Sequence, residues 1–327
     1  MNSSVQKTMK TFYWLVRREF WENKGLFLWT PLAIGGFLIF LYVSAEIWLD
    51  PFLKIDGYLD PVNYKAELTR WVNERIYASI VEMSHFFVHV LMISSAFLSS
   101  VYLFGSLHSD RRDRSIYFWK SFPTSDAQEV GVKLFFPLFL APLINLLIAV
   151  ISFLVASFLI ASYSLLGHVN VFVAVFSNME IFKFAHGLLL LLPYYMLWSL
   201  PTVAWFLMIS AGSKSRVFPW ALGIPLATIF FAAFLKSILK LNWDFTWILN
   251  QVITRWIAAN IPASWVANKE ITRKLFQGAS PGSGYFTLER ISNVEWGNPS
   301  LWIGVAAGLV MIIITIRLRK NAAELNY

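Results

Sequence analysis

The chain has no cysteine among its 327 residues, which excludes disulfides, thiolate nucleophiles and Cys-ligated metals. Charge is also scarce: Asp, Glu, Lys and Arg make up 14% of the residues, against roughly a quarter in soluble domains. A phosphate-cradling G-x-x-x-x-G-K-[ST] run is missing, since its nearest approach, AGSKS at 211–215, lacks the glycine before Lys214, so the sequence offers no ATP-hydrolysing site of its own. His85 and His89 stand at i, i+4, but FFV separates them and no Glu completes a zinc-protease pattern. His108, His168 and His186 are isolated, and there is no Gly-x-Ser-x-Gly elbow. The long apolar runs hold almost no carboxylate in their interiors, which argues against an ion-coupled carrier. No catalytic, cofactor-binding or metal-ligating residue is therefore assigned.

What the sequence has in abundance is apolar and aromatic residues, 57% and 17% of the chain. Six segments supply the roughly 20 apolar residues that a membrane-crossing helix needs: near 26–45, 86–107, 134–161, 184–211, 218–235 and 300–316. This pattern predicts an all-α integral membrane protein in which residues 1–327 form a single transmembrane domain. The first run ends in the small-residue sequence VSA at 43–45, but Leu26 to Val43 is longer than the roughly 7–15 residues of a cleaved signal core. It reads as a retained anchor.

The basic residues give the orientation. With the N-terminus inside, the inner segments (1–25, 108–133, 212–217 and 317–327) carry fifteen Lys and Arg in 68 residues, whereas the outer ones (46–85, 162–183 and 236–299) carry twelve in 126. The excess places both termini in the cytoplasm. The same distribution accounts for the formal net charge of +8 without a basic face for nucleic acid, so the lipid bilayer is the partner that this charge implies.

Residues 1–25 read as an interfacial amphipathic helix, because Met9, Phe12, Tyr13, Val16 and Phe20 recur at helical spacing away from Lys7, Lys10, Arg17 and Arg18. Leu68, Val72, Ile76 and Ile80 recur every four residues and predict an outer helix running into the second span. In the outer segment 236–299, Ile248, Val252 and Trp256, flanked by Leu249, Ile253 and Ile257, form a further apolar stripe, followed by a Gly/Ser/Pro loop. Ser94, Ser95, Ser99 and Ser100 suit close helix packing. Pro137, Pro142, Pro193, Pro201 and Pro225 lie within spans, where they free backbone carbonyls. Asn145, Tyr194, Tyr195, Trp198 and Trp205 fit either an amphiphile path or aromatic core packing.

Between the second and third spans lies a charged island, HSDRRDRSIYFWKSFPTSDAQEVGVK at 108–133. Ser125 and Gln128 match a capping box, with Asp126 and Glu129 in the first turn of a helix leading into span three. The section before Pro123 joins Phe118 and Trp119 to charges of both signs, which suits either a short helix seated in a cleft of another protein or an interfacial loop anchored by Trp119.

The run RRDRSIYFWKSFPTSDAQEVGVKL, together with VRREFWENKG near the N-terminus, resembles permease subunits of ABC exporters of the type-2 family. It departs from that family's usual pattern at Phe122 and Thr124, which replace Leu and Val, and at Gly131, where Ser is usual. The resemblance implies that residues 108–123 form a cytoplasmic coupling helix docking on a separate ATP-hydrolysing subunit. Arg111, Arg112, Arg114, Phe118, Trp119 and Lys120 would make the contact and Pro123 would end the helix. Arg17, Arg18, Glu19 and Glu22 would lie on a connecting helix beside it. It further implies that ATP and Mg are held by the partner subunit and not by this chain, that a second copy of this permease or a related one completes the transporter, and that the assembly sits in a bacterial inner membrane. Two other classes remain open at this level: a membrane scaffold or sensor that docks a cytoplasmic partner, and a membrane-embedded lipid-modifying enzyme.

Overall fold

The computed structural model describes residues 3–49, 77–113, 124–165, 172, 176, 180–213, 216–240, 245–262, 264–265 and 294–321. Among them every regular element is helical: α1 (Ser3–Glu22), α2 (Thr30–Leu49), α3 (Tyr77–Ser106), α4 (His108–Arg112), α5 (Asp126–Phe135), α6 (Ala141–Ser164), α7 (Glu180–Gly212), α8 (Val217–Leu239), α9 (Phe245–Asn250) and α10 (Pro299–Asn321). Wide π-type turns at Gly25–Trp29, Phe136–Leu140 and Gln251–Ile257 join α1 to α2, α5 to α6, and extend α9. The second of these contains Pro137, whose missing N–H interrupts the ordinary ladder.

Six helical stretches are long and apolar enough to cross a membrane: Gly25–Ala45, Val81–Arg112, Asp126–Tyr163, Ile181–Gly212, Val217–Leu239 and Pro299–Asn321. Each contains one of the runs expected from sequence, and several extend further because flanking polar turns continue the helix. Burial divides them. About half of the apolar stretch is buried in the second, third and fourth, but about a fifth or less in the others. On α8 the rings of Phe218, Trp220, Phe230, Phe231 and Phe234 are all exposed, which suits a hydrocarbon solvent and not water.

The chain divides into two compact units. One contains residues 28–94 and 143–190. Phe87, Leu91 and Val88 are fully buried there, with Phe87 edge-on to Tyr42 (6.1 Å between centroids) and Phe153 (6.0 Å). Asn145, 1% exposed, lies 3.5 Å from the Ser94 hydroxyl, which itself donates back to the Leu91 carbonyl. His85 and His89 pack on the Phe184 ring at 4.5 and 5.6 Å. Among the described residues no group of three or more His, Asp or Glu is placed to hold a metal.

The second unit contains residues 1–27, 95–142 and 191–327. Its core is built on Phe27, Tyr102 and Phe136, whose rings meet at 5.1 to 6.0 Å, with Leu103, Val130, Phe206 and Leu207 fully or nearly buried around them. The aromatic residues of α7 serve as core: Tyr195 donates to the Asn260 carbonyl at 3.0 Å, Trp198 to the Ser264 hydroxyl at 3.0 Å and Trp205 to the Ala221 carbonyl at 2.9 Å. Asn260 in turn donates to the Ala96 carbonyl and the Ser100 hydroxyl. α10 approaches its neighbours through Gly304 and Gly308, one helical turn apart on one face. A methyl group at Gly308 would meet the Leu200 side chain and backbone at 3.0 and 3.3 Å, and one at Gly304 would collide with the Arg255 guanidinium. This is the small-x-x-x-small logic of membrane helix packing.

Leu68, Val72 and Ile76 of the expected outer helix, the Gly/Ser/Pro loop and His168 lie outside the described residues. The expected stripe at 248–257 is helical, but its wide π-type turn buries Thr254 and Arg255 beside Val252 while leaving Ile253 exposed.

Candidate functional site

Ser125 and Gln128 form the expected capping box: the Ser125 hydroxyl accepts from the Gln128 N–H at 3.2 Å, and the Gln128 side chain accepts from the Ser125 N–H at 3.1 Å. This fixes where α5 begins, and therefore which of its side chains point inward. Glu129 and Lys133, at i, i+4, share one face and are both buried, at 3% exposed. Ser125→Ala is expected to lower stability by about 1 kcal/mol, read as a fall in the unfolding midpoint of the purified chain, and Ser125→Asp should restore it.

That buried face meets three other elements. The Lys133 ammonium lies 3.2 Å from Glu19 on α1 and 3.6 Å from Asp110 on α4. The Glu129 carboxylate lies 3.0 Å from Arg18 of α1. Arg319, near the end of α10 and 3% exposed, reaches Asp126 at 3.1 Å, Asp110 at 3.2 Å and Glu129 at 3.8 Å. The Tyr102 hydroxyl donates to Glu19 at 2.8 Å, and Asn23 donates to the Glu19 carbonyl at 3.0 Å. Three cations (Arg18, Lys133 and Arg319) thus meet four carboxylates (Glu19, Asp110, Asp126 and Glu129) in one nearly neutral cluster, the arrangement under which buried charge is tolerated.

Electrostatics within the cluster follow from these contacts. Burial alone would raise the Glu19 carboxyl, but Lys133, the Tyr102 hydroxyl and Arg18 together outweigh it and hold the group below the usual carboxylate range. At the half-buried edge, Glu22 is pushed upward by burial and by the neighbouring Glu19 charge.

The residues expected to dock a partner fall into three groups. Arg114, Phe118, Trp119, Lys120 and Pro123 lie outside the described residues. Arg111 is engaged within the chain: its guanidinium donates to the Ser210 and Ser213 carbonyls at 2.9 and 2.7 Å, capping the end of α7, while the Ser210 hydroxyl receives the Leu107 and His108 N–H groups. Arg112 is exposed and, among the described residues, pairs with its exposed neighbour Asp113, an interaction of little energetic weight. On α1, Arg18 and Glu19 face the cluster, Glu22 is half exposed, and Arg17 is exposed with its guanidinium 5.1 Å from the Trp14 ring centre. The buried face of α1 is Phe12, Leu15, Val16, Glu19 and Phe20, whereas Met9 and Tyr13 are exposed.

Both flanks of the segment 114–123 are therefore anchored in one place. Asp110 stands four residues before it and Asp126 three residues after it, and both are held by Arg319. Sequence reasoning missed Lys133 and Arg319 as parts of a site, because each reads as one more basic residue at the end of a span. The available signal was the spacing of Glu129 and Lys133, which puts two opposite charges on the helix face that also carries Phe136. The helices fit a multi-pass membrane protein. No protein-family model, curated protein or solved structure matches the chain.

Proposed function

We propose that this chain is the membrane permease subunit of an ATP-driven ABC exporter, with segment 108–123 as the helix that docks on a separate ATP-hydrolysing subunit. The observation that carries the reading is the ion cluster at the base of that segment. A displacement of 114–123 loads Asp110 and Asp126, and through Arg319, Lys133, Glu129 and Arg18 it reaches α10, α5 and α1. A loop that docks without transmitting force has no need for such a base. In this reading both termini lie in the cytoplasm of a bacterial inner-membrane protein, ATP and Mg are bound by the partner, and a second copy of this permease or a related one completes the transporter. Closure of the partner's two nucleotide-binding domains then rocks the spans between inward- and outward-facing states.

The test is a pull-down in mild detergent from native membranes, comparing the wild type with the Arg114→Ala/Phe118→Ala/Trp119→Ala variant. An ATPase carrying a P-loop should co-purify with the wild type and be lost, by about tenfold or more, with the triple change. Its hydrolysis rate should rise when the permease is present. Co-purification without any change in hydrolysis would favour a scaffold or sensor, and absence of an ATPase would remove the reading.

A further inference from the structure

Arg255 is 5% exposed and sits in the turn Gln251–Ile257. Its guanidinium donates to the carbonyls of Trp198 (2.7 Å), Ser300 (3.1 Å) and Leu301 (3.3 Å), and its Cζ lies 3.9 Å from the Trp198 ring centre. Gly304 leaves the space in which it lies. Burial lowers its pKa to about 10, so the group remains charged at neutral pH. Yet among the described residues no carboxylate stands within ion-pair distance of it, in contrast to Arg319 with three. Three carbonyl dipoles solvate the charge without neutralising it.

A cavity of about 620 Å³ opens beside this cation. Gln251, Arg255, Asn298 and Ser300 supply its polar wall, and Val252, Trp256, Ile303, Ala307 and Met311 supply the apolar remainder. Among the described lining residues the formal charge is that of Arg255 alone, and the Asn298 amide donates outward to the Glu295 carboxylate at 3.4 Å. The Gln251 carbonyl oxygen is taken by the Ser300 hydroxyl at 3.3 Å, leaving its amide hydrogens as donors, and the Trp256 indole N–H is buried without a partner. The start of α10 adds the positive end of a 23-residue helix. From Pro299 to Met311 the lining follows α10 for about 18 Å at 1.5 Å per residue, and Ile303 at its side is 69% exposed, so the apolar part is open to the surroundings of the helix.

From this we infer that the cavity binds an anionic phospholipid of the surrounding bilayer, its phosphate facing Arg255 and Gln251 and an acyl chain lying along Ile303, Ala307 and Met311. Uncompensated positive charge selects the sign of the headgroup, and the apolar trough selects an amphiphile over a free anion. The site is independent of the transport reading.

The experiment is a lipid titration of the purified, delipidated full-length chain in detergent, followed by native mass spectrometry and thermal unfolding. Phosphatidylglycerol is expected to bind and raise the unfolding midpoint, with phosphatidylcholine of the same acyl chains at least about tenfold weaker and inorganic phosphate without effect. Ala307→Phe, which fills the trough while leaving the Arg255 side chain in place, should weaken phosphatidylglycerol binding by about tenfold or more. Arg255→Gln should remove the preference between the two lipids, and if that variant fails to fold, Ala307→Phe decides. Equal binding of both lipids, protection by phosphate alone, or unchanged binding to the Ala307→Phe chain would each overturn the assignment.

Discussion

Arg319→Leu is expected to lower the stability of the chain by about 3–5 kcal/mol, the range seen when one partner of a buried ion pair is removed. The residue is 3% exposed and faces Asp110, Asp126 and Glu129 at 3.1 to 3.8 Å. Without it, Glu129 keeps Arg18 and Asp110 keeps Lys133, but Asp126 loses its partner and the excess negative charge of this largely buried cluster rises from one to two. The measurement is the unfolding midpoint of the purified protein in detergent. Arg319→Lys should fall between wild type and Leu, because a single ammonium cannot reproduce the fork that contacts Asp126 through Nε and Asp110 through Nη1. A midpoint unchanged in Arg319→Leu would mean that the carboxylates are solvated, and the proposed transmission through α10 would fail with it.

The pair Glu19 and Lys133 offers a sharper result, because removing both charges is better tolerated than removing either. Lys133→Met leaves the Glu19 carboxylate, 3% exposed, without its 3.2 Å partner, and should cost about 3–5 kcal/mol. Glu19→Gln strands the ammonium against Asp110 alone and should cost a similar amount. The double variant should recover part of the sum, with a coupling of about 0.5–3 kcal/mol. The acid limb carries a second signature. Because Glu19 is held below the ordinary carboxylate range by Lys133, Tyr102 and Arg18, its contribution is present at neutral pH and is lost as pH falls through that depressed value. Glu19→Gln should therefore flatten stability against pH in that acid window. Strictly additive single variants would show that the two charges do not interact in the folded protein.

How far the sequence could be read depended on which force fixed each feature. The six long helices were legible because an apolar run of about 20 residues has only one inexpensive conformation in hydrocarbon. The start of α5 was legible because Ser125 and Gln128 are a local signal spanning three residues. The ion cluster was not, since Arg18, Asp110, Lys133 and Arg319 converge from four distant parts of the chain and nothing local marks their meeting. Arg255 was hidden for another reason: the turn Gln251–Ile257 is wider than an α-helix, so the expected wheel at 248–257 places its residues on the wrong face. Arg111, expected at a partner surface, also caps α7, a use of arginine that the end of a helix explains only once its location is known.

The separation of Arg319 from its carboxylates also has a consequence in time. Its bonds to Asp126 and Asp110 span 193 and 209 residues, so at about 5–20 residues per second the first-made carboxylates wait on the order of 10 to 40 s for their counter-charge. Until α10 has been synthesised and inserted, the nascent chain carries carboxylates that its own residues leave only partly neutralised. A chain that stalls before α10 therefore holds Asp126 without the guanidinium that pairs with it, and Asp110 with Lys133 alone.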